Sequence, residues 1–182
     1  YCLAGEVEIA VTVDLQRLSR MLSQHKTLHI DDEIIILRAM YRERLITRRL
    51  QNLAAAFPAV VVSGARQVGK STLLKHIYGG KADIVVFDPV IDVENAREDP
   101  DLFLDNHTTP LVLDEIQYAP ELVAALKRRI DRDRRPGKYI LSGSQQWSVL
   151  TSVSESLAGR VGFVDLEGFC LAEAAGSQGS WL

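Results

Sequence analysis

The sequence predicts an α/β fold, a five-stranded and mostly parallel sheet flanked by helices, on three observations. From Ala59 onward, short apolar runs alternate with helical segments, as they do in βαβ units whose sheet is buried on both faces. The first run leads into a glycine-rich loop followed by a helix start. The third run ends in two adjacent carboxylates, Asp114 and Glu115.

The expected strands lie at 59–63, 83–88, 111–114, 139–142 and 161–166, and helices fill the gaps at 70–78, 93–105, 120–132 and 153–158. Upstream, Val7, Ile9, Val11 and Val13 alternate with mostly polar neighbours and suit a half-buried strand over 6–13. Asp14 then caps a helix carrying Leu15, Leu18 and Leu22. After His29 a second amphipathic stretch runs through Ile36, Met40, Leu45, Leu50 and Leu53 towards Pro58. No residue in 1–39 carries recognisable chemistry.

A chain of 182 residues with 47% apolar content suits one α/β domain with room for a small appendage. Its 21 basic and 24 acidic residues leave a net charge of −3, which gives no whole-chain footprint for nucleic acid or a membrane surface. Cys2 and Cys170 stand far apart without metal-ligand spacing, so a disulfide framework and a zinc site are both disfavoured. No run approaches the ~20 apolar residues of a membrane span and the opening lacks a signal peptide's pattern. A cytoplasmic location is therefore expected. Opening on Tyr1, the chain reads as a piece of a longer product.

The loop after the first strand is Gly64, Ala65, Arg66, Gln67, Val68, Gly69, Lys70, Ser71 and Thr72, which satisfies GxxxxGK[ST] between a strand and a helix. The glycines let the backbone curl so that successive amide hydrogens face a phosphate, and the helix N-terminus adds its partial positive charge. Lys70 is expected to reach the β and γ phosphates of a nucleotide, and Ser71 to offer its hydroxyl to Mg²⁺. A plain glycine turn before a helix would not require this combination of residues.

Asp114 and Glu115 fall at the carboxyl end of a buried strand, the edge where ligands of open α/β sheets bind. Asp114 is expected to serve the magnesium shell, and Glu115 to orient or deprotonate a water. A small-molecule kinase needs no such glutamate, so the pair favours hydrolysis and the RecA-like and AAA-like branch. That branch places an extra strand between the loop strand and the acidic strand, and 83–88 is the candidate run. In the fourth run Ser142, Ser144 or Gln145 could meet the γ phosphate or the water, with Ser144 preferred over a merely polar turn.

The strings GARQVGKSTLL, PLVLDEIQYAPEL, ILSGSQQ and SESLAGRV, in that order, resemble a prokaryotic AAA-domain ATPase family whose members often carry an uncharacterised nuclease-like C-terminal domain. The resemblance covers about residues 41–175. It implies an AAA+ core with ATP as ligand, 64–72 as the phosphate loop, and Asp114 with Glu115 as the magnesium and water residues. Members of the family look as if they begin near MYRERL, so the core is expected over 40–182, truncated at its C-terminal end. Residues 1–39 are then an extension whose fold is open.

Arg160, in SLAGR, admits two readings. It could reach nucleotide in its own or a neighbouring subunit of a homo-oligomer, or it could be a salt-bridged surface arginine. The four histidines fit no metal or triad spacing. The cluster Lys127, Arg128, Arg129, Arg132, Arg134 and Arg135 reads first as a solvated helix face and second as a DNA contact. An ATP-hydrolysing enzyme is the leading reading, ahead of a nucleotide-gated switch module and of a truncated remnant without turnover. The client, protein or DNA, is not legible.

Overall fold

The structure, a computed structural model, describes residues 41–88, 93–144 and 156–175. The expected strand at 6–13, its following helix, Gln145 and most of the helix expected at 153–158 lie outside the described residues. By their contacts residues 1–41 and 42–182 form separate units, and the strands and helices named below belong to the second.

Helix α1 (Thr47–Ala56) precedes strand β1 (Ala59–Gly64), and helix α2 (Lys70–Tyr78) follows the glycine-rich loop. Strand β2 (Asp83–Val86) leads to α3 (Val93–Glu98) and α4 (Pro100–Asp105), then to strand β3 (Leu111–Asp114). A short 3₁₀ turn at Ile116–Tyr118 opens onto α5 (Leu122–Arg132), followed by β4 (Tyr139–Ser144), β5 (Val161–Asp165) and the short α6 (Leu171–Ala175).

The five strands form one sheet in the order β2-β3-β4-β1-β5 with every pairing parallel. Both faces are covered, which is why the strands read as continuous apolar runs. On one face Ala59, Val61, Leu111, Leu113, Tyr139 and Leu141 pack with Leu122, Leu126 and Ile130 of α5 and with Ala96 and Leu104 of α3 and α4. On the other, Val60, Val62, Val112 and Ile140 are buried together with Leu50 of α1 and Leu73, Leu74 and Ile77 of α2.

Three expectations are corrected. The strand between the loop strand and the acidic strand is β4, whereas β2, within the 83–88 run, stands at the far end of the strand order and pairs with β3. The segment expected as one helix over 93–105 is two, because Asp99 leaves the helical conformation and caps the second helix, accepting from the amide of Leu102 at 3.0 Å, with Pro100 in the first turn. The last helix of that face begins at Leu122 instead of 120, since the chain first completes the 3₁₀ turn. No helix among the described residues is long and apolar enough to cross a membrane.

Candidate functional site

The parallel pairing brings the ends of β1, β3 and β4 to one edge of the sheet. At that edge β1 ends on Gly64 with φ of 154°, where a Cβ would stand 2.3 Å from the carbonyl oxygen of Leu166. Only glycine lets the backbone run that close to the segment after β5. The loop then bends through Gln67 at φ 65° and Gly69 at φ 94°, the left-handed residue that starts α2.

Within this curl, no backbone carbonyl among the described residues accepts from the amides of 65–72. The first turn of α2 contains no acidic side chain, so nothing in that turn neutralises the positive end of the helix. Lys70 is 5% exposed, and its Nζ donates to the carbonyls of Gly64 at 3.1 Å and Ala65 at 2.9 Å. The ammonium is thus folded onto its own loop. Ser71 is half-buried and Thr72 exposed in the first helical turn, while Ala65, Arg66 and Gln67 form the exposed rim.

Asp114, the last residue of β3, is 1% exposed and accepts from the Ser142 hydroxyl on β4. The same Ser142 oxygen lies 3.5 Å from the amide of Glu115. Glu115 adopts a left-handed conformation, φ 60° and ψ 44°, where the chain turns from strand into the 3₁₀ turn. Its carboxylate accepts from the side-chain amide of Gln117. The Gln117 Oε1 is buried without a partner among the described residues, and it sits where a Cβ on Gly143 would approach to 2.9 Å. Ser144 is opposite Gly64 in register, and its buried hydroxyl also has no partner among the described residues. A buried hydroxyl left unbonded is costly, which suits this one to donate to a ligand oxygen at the loop.

The edge therefore collects the loop, Asp114, Glu115 and Ser144. It does not collect Arg160. That residue immediately precedes Val161, which pairs with Ala59, the first residue of β1, so it stands at the amino edge of the sheet. The loop begins five residues along β1, about 17 Å away at the usual strand rise. There Arg160 donates to both oxygens of Asp131, at 2.6 and 3.0 Å, and to the carbonyl of Ala158 at 3.0 Å. Those bonds hold the Asp131 carboxyl below the usual range. Of its two readings, the salt-bridged surface arginine describes its place within this chain.

Four of the six residues of the basic cluster are likewise engaged with acidic neighbours: Arg128 with Asp101, Arg129 with Asp105 at 2.8 Å, Arg134 with Asp131 at 3.4 Å and Arg135 with Asp133 at 2.7 Å. Among the described residues no group of histidine, cysteine or carboxylate side chains is arranged to hold a metal on its own.

Three residues at this edge, Arg44, Gln117 and Glu173, are not among those the sequence pattern singles out. Arg44 precedes α1, yet its Nη1 donates to the loop carbonyl of Val68 at 2.9 Å and its Nε to Glu173 at 3.1 Å. Gln117 was visible as the polar residue two after Glu115. For Arg44 and Glu173 no local signal existed.

A parallel sheet in this order, with a glycine-rich loop entering a helix from β1 and a carboxylate closing β3 across one intervening strand, defines a P-loop α/β nucleotide-binding fold. The chain belongs to the AAA domain family, whose profile matches residues 56–175. It is also similar to two proteins, named only as uncharacterized, from Mycobacterium bovis and Mycobacterium tuberculosis, each 34% identical over 137 residues. Those matches cover 74% of this chain and 31% of the relatives, so the chain spans about a third of their length. It is a nucleotide-binding module of the AAA type, from a family of ATPase-type domains.

Proposed function

We propose that the chain binds ATP with Mg²⁺ on the 64–72 loop and hydrolyses it. The observation carrying this reading is the meeting, at one sheet edge, of a curled loop whose amides have no described backbone acceptors and a buried carboxylate followed directly by a second one. The donor set fits the group: amides, the ammonium of Lys70 and the unneutralised start of α2 suit phosphate oxygens, and hydroxyl with carboxylate oxygen suits magnesium.

Lys70 exchanges the Gly64 and Ala65 carbonyls for β and γ phosphate oxygens. Ser71 and Asp114 would hold the metal, with Ser142 keeping Asp114 oriented through the bond that already joins them. Magnesium would supply charge neutralisation of the phosphates there. Glu115 takes the proton of a water whose oxygen attacks the γ phosphorus as the bond to the bridging oxygen breaks. For that its carboxylate must leave Gln117. Ser144 donates its unpartnered hydroxyl to the γ phosphate or the water. The ATPase core lies in 40–182, with 1–39 an extension to it.

A second reading, a nucleotide-gated switch without useful turnover, draws on the Glu115 carboxylate being engaged by Gln117. Glu115→Gln separates the two. The variant should keep ATP affinity within a few-fold, while phosphate release falls by about 10² or more, the scale of losing a positioned base. Lys70→Ala serves as the binding control and should show no saturable titration. Equal phosphate release by wild type and Glu115→Gln removes Glu115 from catalysis, and a wild type that binds but never hydrolyses selects the switch.

A further inference from the structure

The phosphate loop is held from behind by a side chain with no part in the hydrolytic chemistry. Arg44 is 5% exposed, and its three nitrogens reach three different residues on two pieces of chain. Nη1 donates to the Val68 carbonyl at 2.9 Å, Nη2 to the Glu167 carbonyl at 2.6 Å, and Nε to Glu173 at 3.1 Å. The guanidinium also lies over the ring of Phe169, 4.4 Å from its centroid. Glu173, itself buried, accepts in addition from the amides of Leu45 at 2.8 Å and Cys170 at 3.0 Å.

Peptide geometry carries this bond into the loop. In a planar trans peptide the carbonyl and the next amide hydrogen point in opposite directions. A Val68 carbonyl drawn outward onto Arg44 therefore turns the Gly69 amide inward, to the concave side of the loop. Gly69 is also the residue whose left-handed conformation starts α2, so its orientation sets the joint between loop and helix.

We propose that Arg44 is a positioning residue that aims the Gly69 amide at a bound phosphate chain, and that its buried pair with Glu173 makes nucleotide affinity depend on the segment 167–173. The proposal rests on the reading of 64–72 as the phosphate site. A lysine cannot replace the arginine here, because a point charge on a flexible stem cannot serve Val68, Glu167 and Glu173 in one plane. Coupling between two sites is reciprocal, so phosphate on the loop must also tighten the 167–173 segment.

The test uses the full chain, titrated calorimetrically with Mg-ATP, together with amide hydrogen exchange with and without Mg-ATP and a melting curve for each variant. Arg44→Lys should weaken binding about tenfold or more, the scale of one lost charge-assisted hydrogen bond. Glu173→Gln should weaken it by about three- to tenfold, and the double variant by less than the product of the two, as expected of residues in one network. In the wild type, Mg-ATP should slow exchange at the Leu45 and Cys170 amides, and Glu173→Gln should lose that protection.

Variants that melt earlier but bind Mg-ATP within about twofold of wild type would show a purely structural ion pair and overturn the proposal. So would exchange at Leu45 and Cys170 that nucleotide leaves unchanged, a measurement that decides alone where a variant does not fold. A wild type that does not bind Mg-ATP overturns the phosphate-site reading and this proposal together, a result distinct from intact binding that ignores Arg44.

Discussion

Replacing Gly64 by alanine tests whether the close approach of β1 to the segment after β5 sets the loop. The new Cβ would stand 2.3 Å from the Leu166 carbonyl oxygen and 3.2 Å from both the Leu166 carbonyl carbon and Val68 Cγ2. Real Cβ contacts stop at about 3.0 Å, so the two backbones must separate by about 0.7 Å. Neither is a flexible side-chain tip that can swing away. The Leu166 amide bonds the Ser63 carbonyl at 2.8 Å, and that bond is the first to open. Backbone strain of about 1–3 kcal/mol and a hydrogen bond of about 0.5–1.5 kcal/mol put the cost near 3 kcal/mol. For a chain of this size that lowers the melting temperature by roughly 6–12 °C. The control is Gly80→Ala, where φ is 74° but no atom lies within 4 Å of the added Cβ. It incurs only the left-handed conformation, about 1–2 kcal/mol. Melting by circular dichroism and titration with Mg-ATP read both effects. Gly64→Ala should also weaken ATP binding by about tenfold or more, since the loop origin moves. If Gly64→Ala melts with Gly80→Ala and binds ATP as wild type does, the Leu166 contact does not set the loop.

Two further outcomes concern the ion pairs. Arg160→Ala should leave phosphate release per chain unchanged at concentrations where the chain is monomeric, and should let the Asp131 carboxyl titrate back towards its usual 3.8, seen by carboxyl carbon NMR. A fall in turnover under those conditions would place Arg160 in the site after all. Burial pushes the Glu173 carboxyl up, but the amides of Leu45 and Cys170 and the Arg44 guanidinium outweigh it and hold the group below 4.5. A carboxylate whose folded value is depressed stabilises above its unfolded value, and that stabilisation fades as pH falls through the folded value. Denaturant midpoints should therefore drop as pH is lowered below about 4.5, and Glu173→Gln should flatten that slope. An equal slope in the variant would assign the acid sensitivity to other carboxylates.

What was legible in the sequence is what local pattern determines. Helix α2 begins and ends where Gly69 and Gly79 bracket it, and β3 is the apolar run that stops on Asp114, so both were read to the residue. The break at Asp99 and Pro100 was also written locally, as an N-cap followed by proline, but the apolar period on either side hid it. Strand order was not legible. Whether β4 or β2 neighbours β3 on the loop side depends on which crossover packs on which face, a property of no single segment. Arg160 shows the same gap between sequence neighbourhood and place. Its proximity to the last strand suggested the ligand edge, but in a parallel sheet the residue entering a strand and the residue leaving β1 lie at opposite edges.

Arg44 and Glu173, 129 positions apart, carry no local signal of a shared role. Only folding makes them a buried pair, and that bears on how the 64–72 loop is held. The loop is a local motif, yet the contacts on its outer side among the described residues come from afar: Leu166 against Gly64, Asp165 on Ser63 at 3.0 Å, and Arg44 joining Val68 to the 167–173 segment. Long-range contacts offset their closure entropy only once the chain has folded, so the outer side of the loop is completed by the segment after β5 and not by the motif alone. A ligand that binds only this completed arrangement stabilises it by about 2.7 kcal/mol at a hundredfold excess over its dissociation constant.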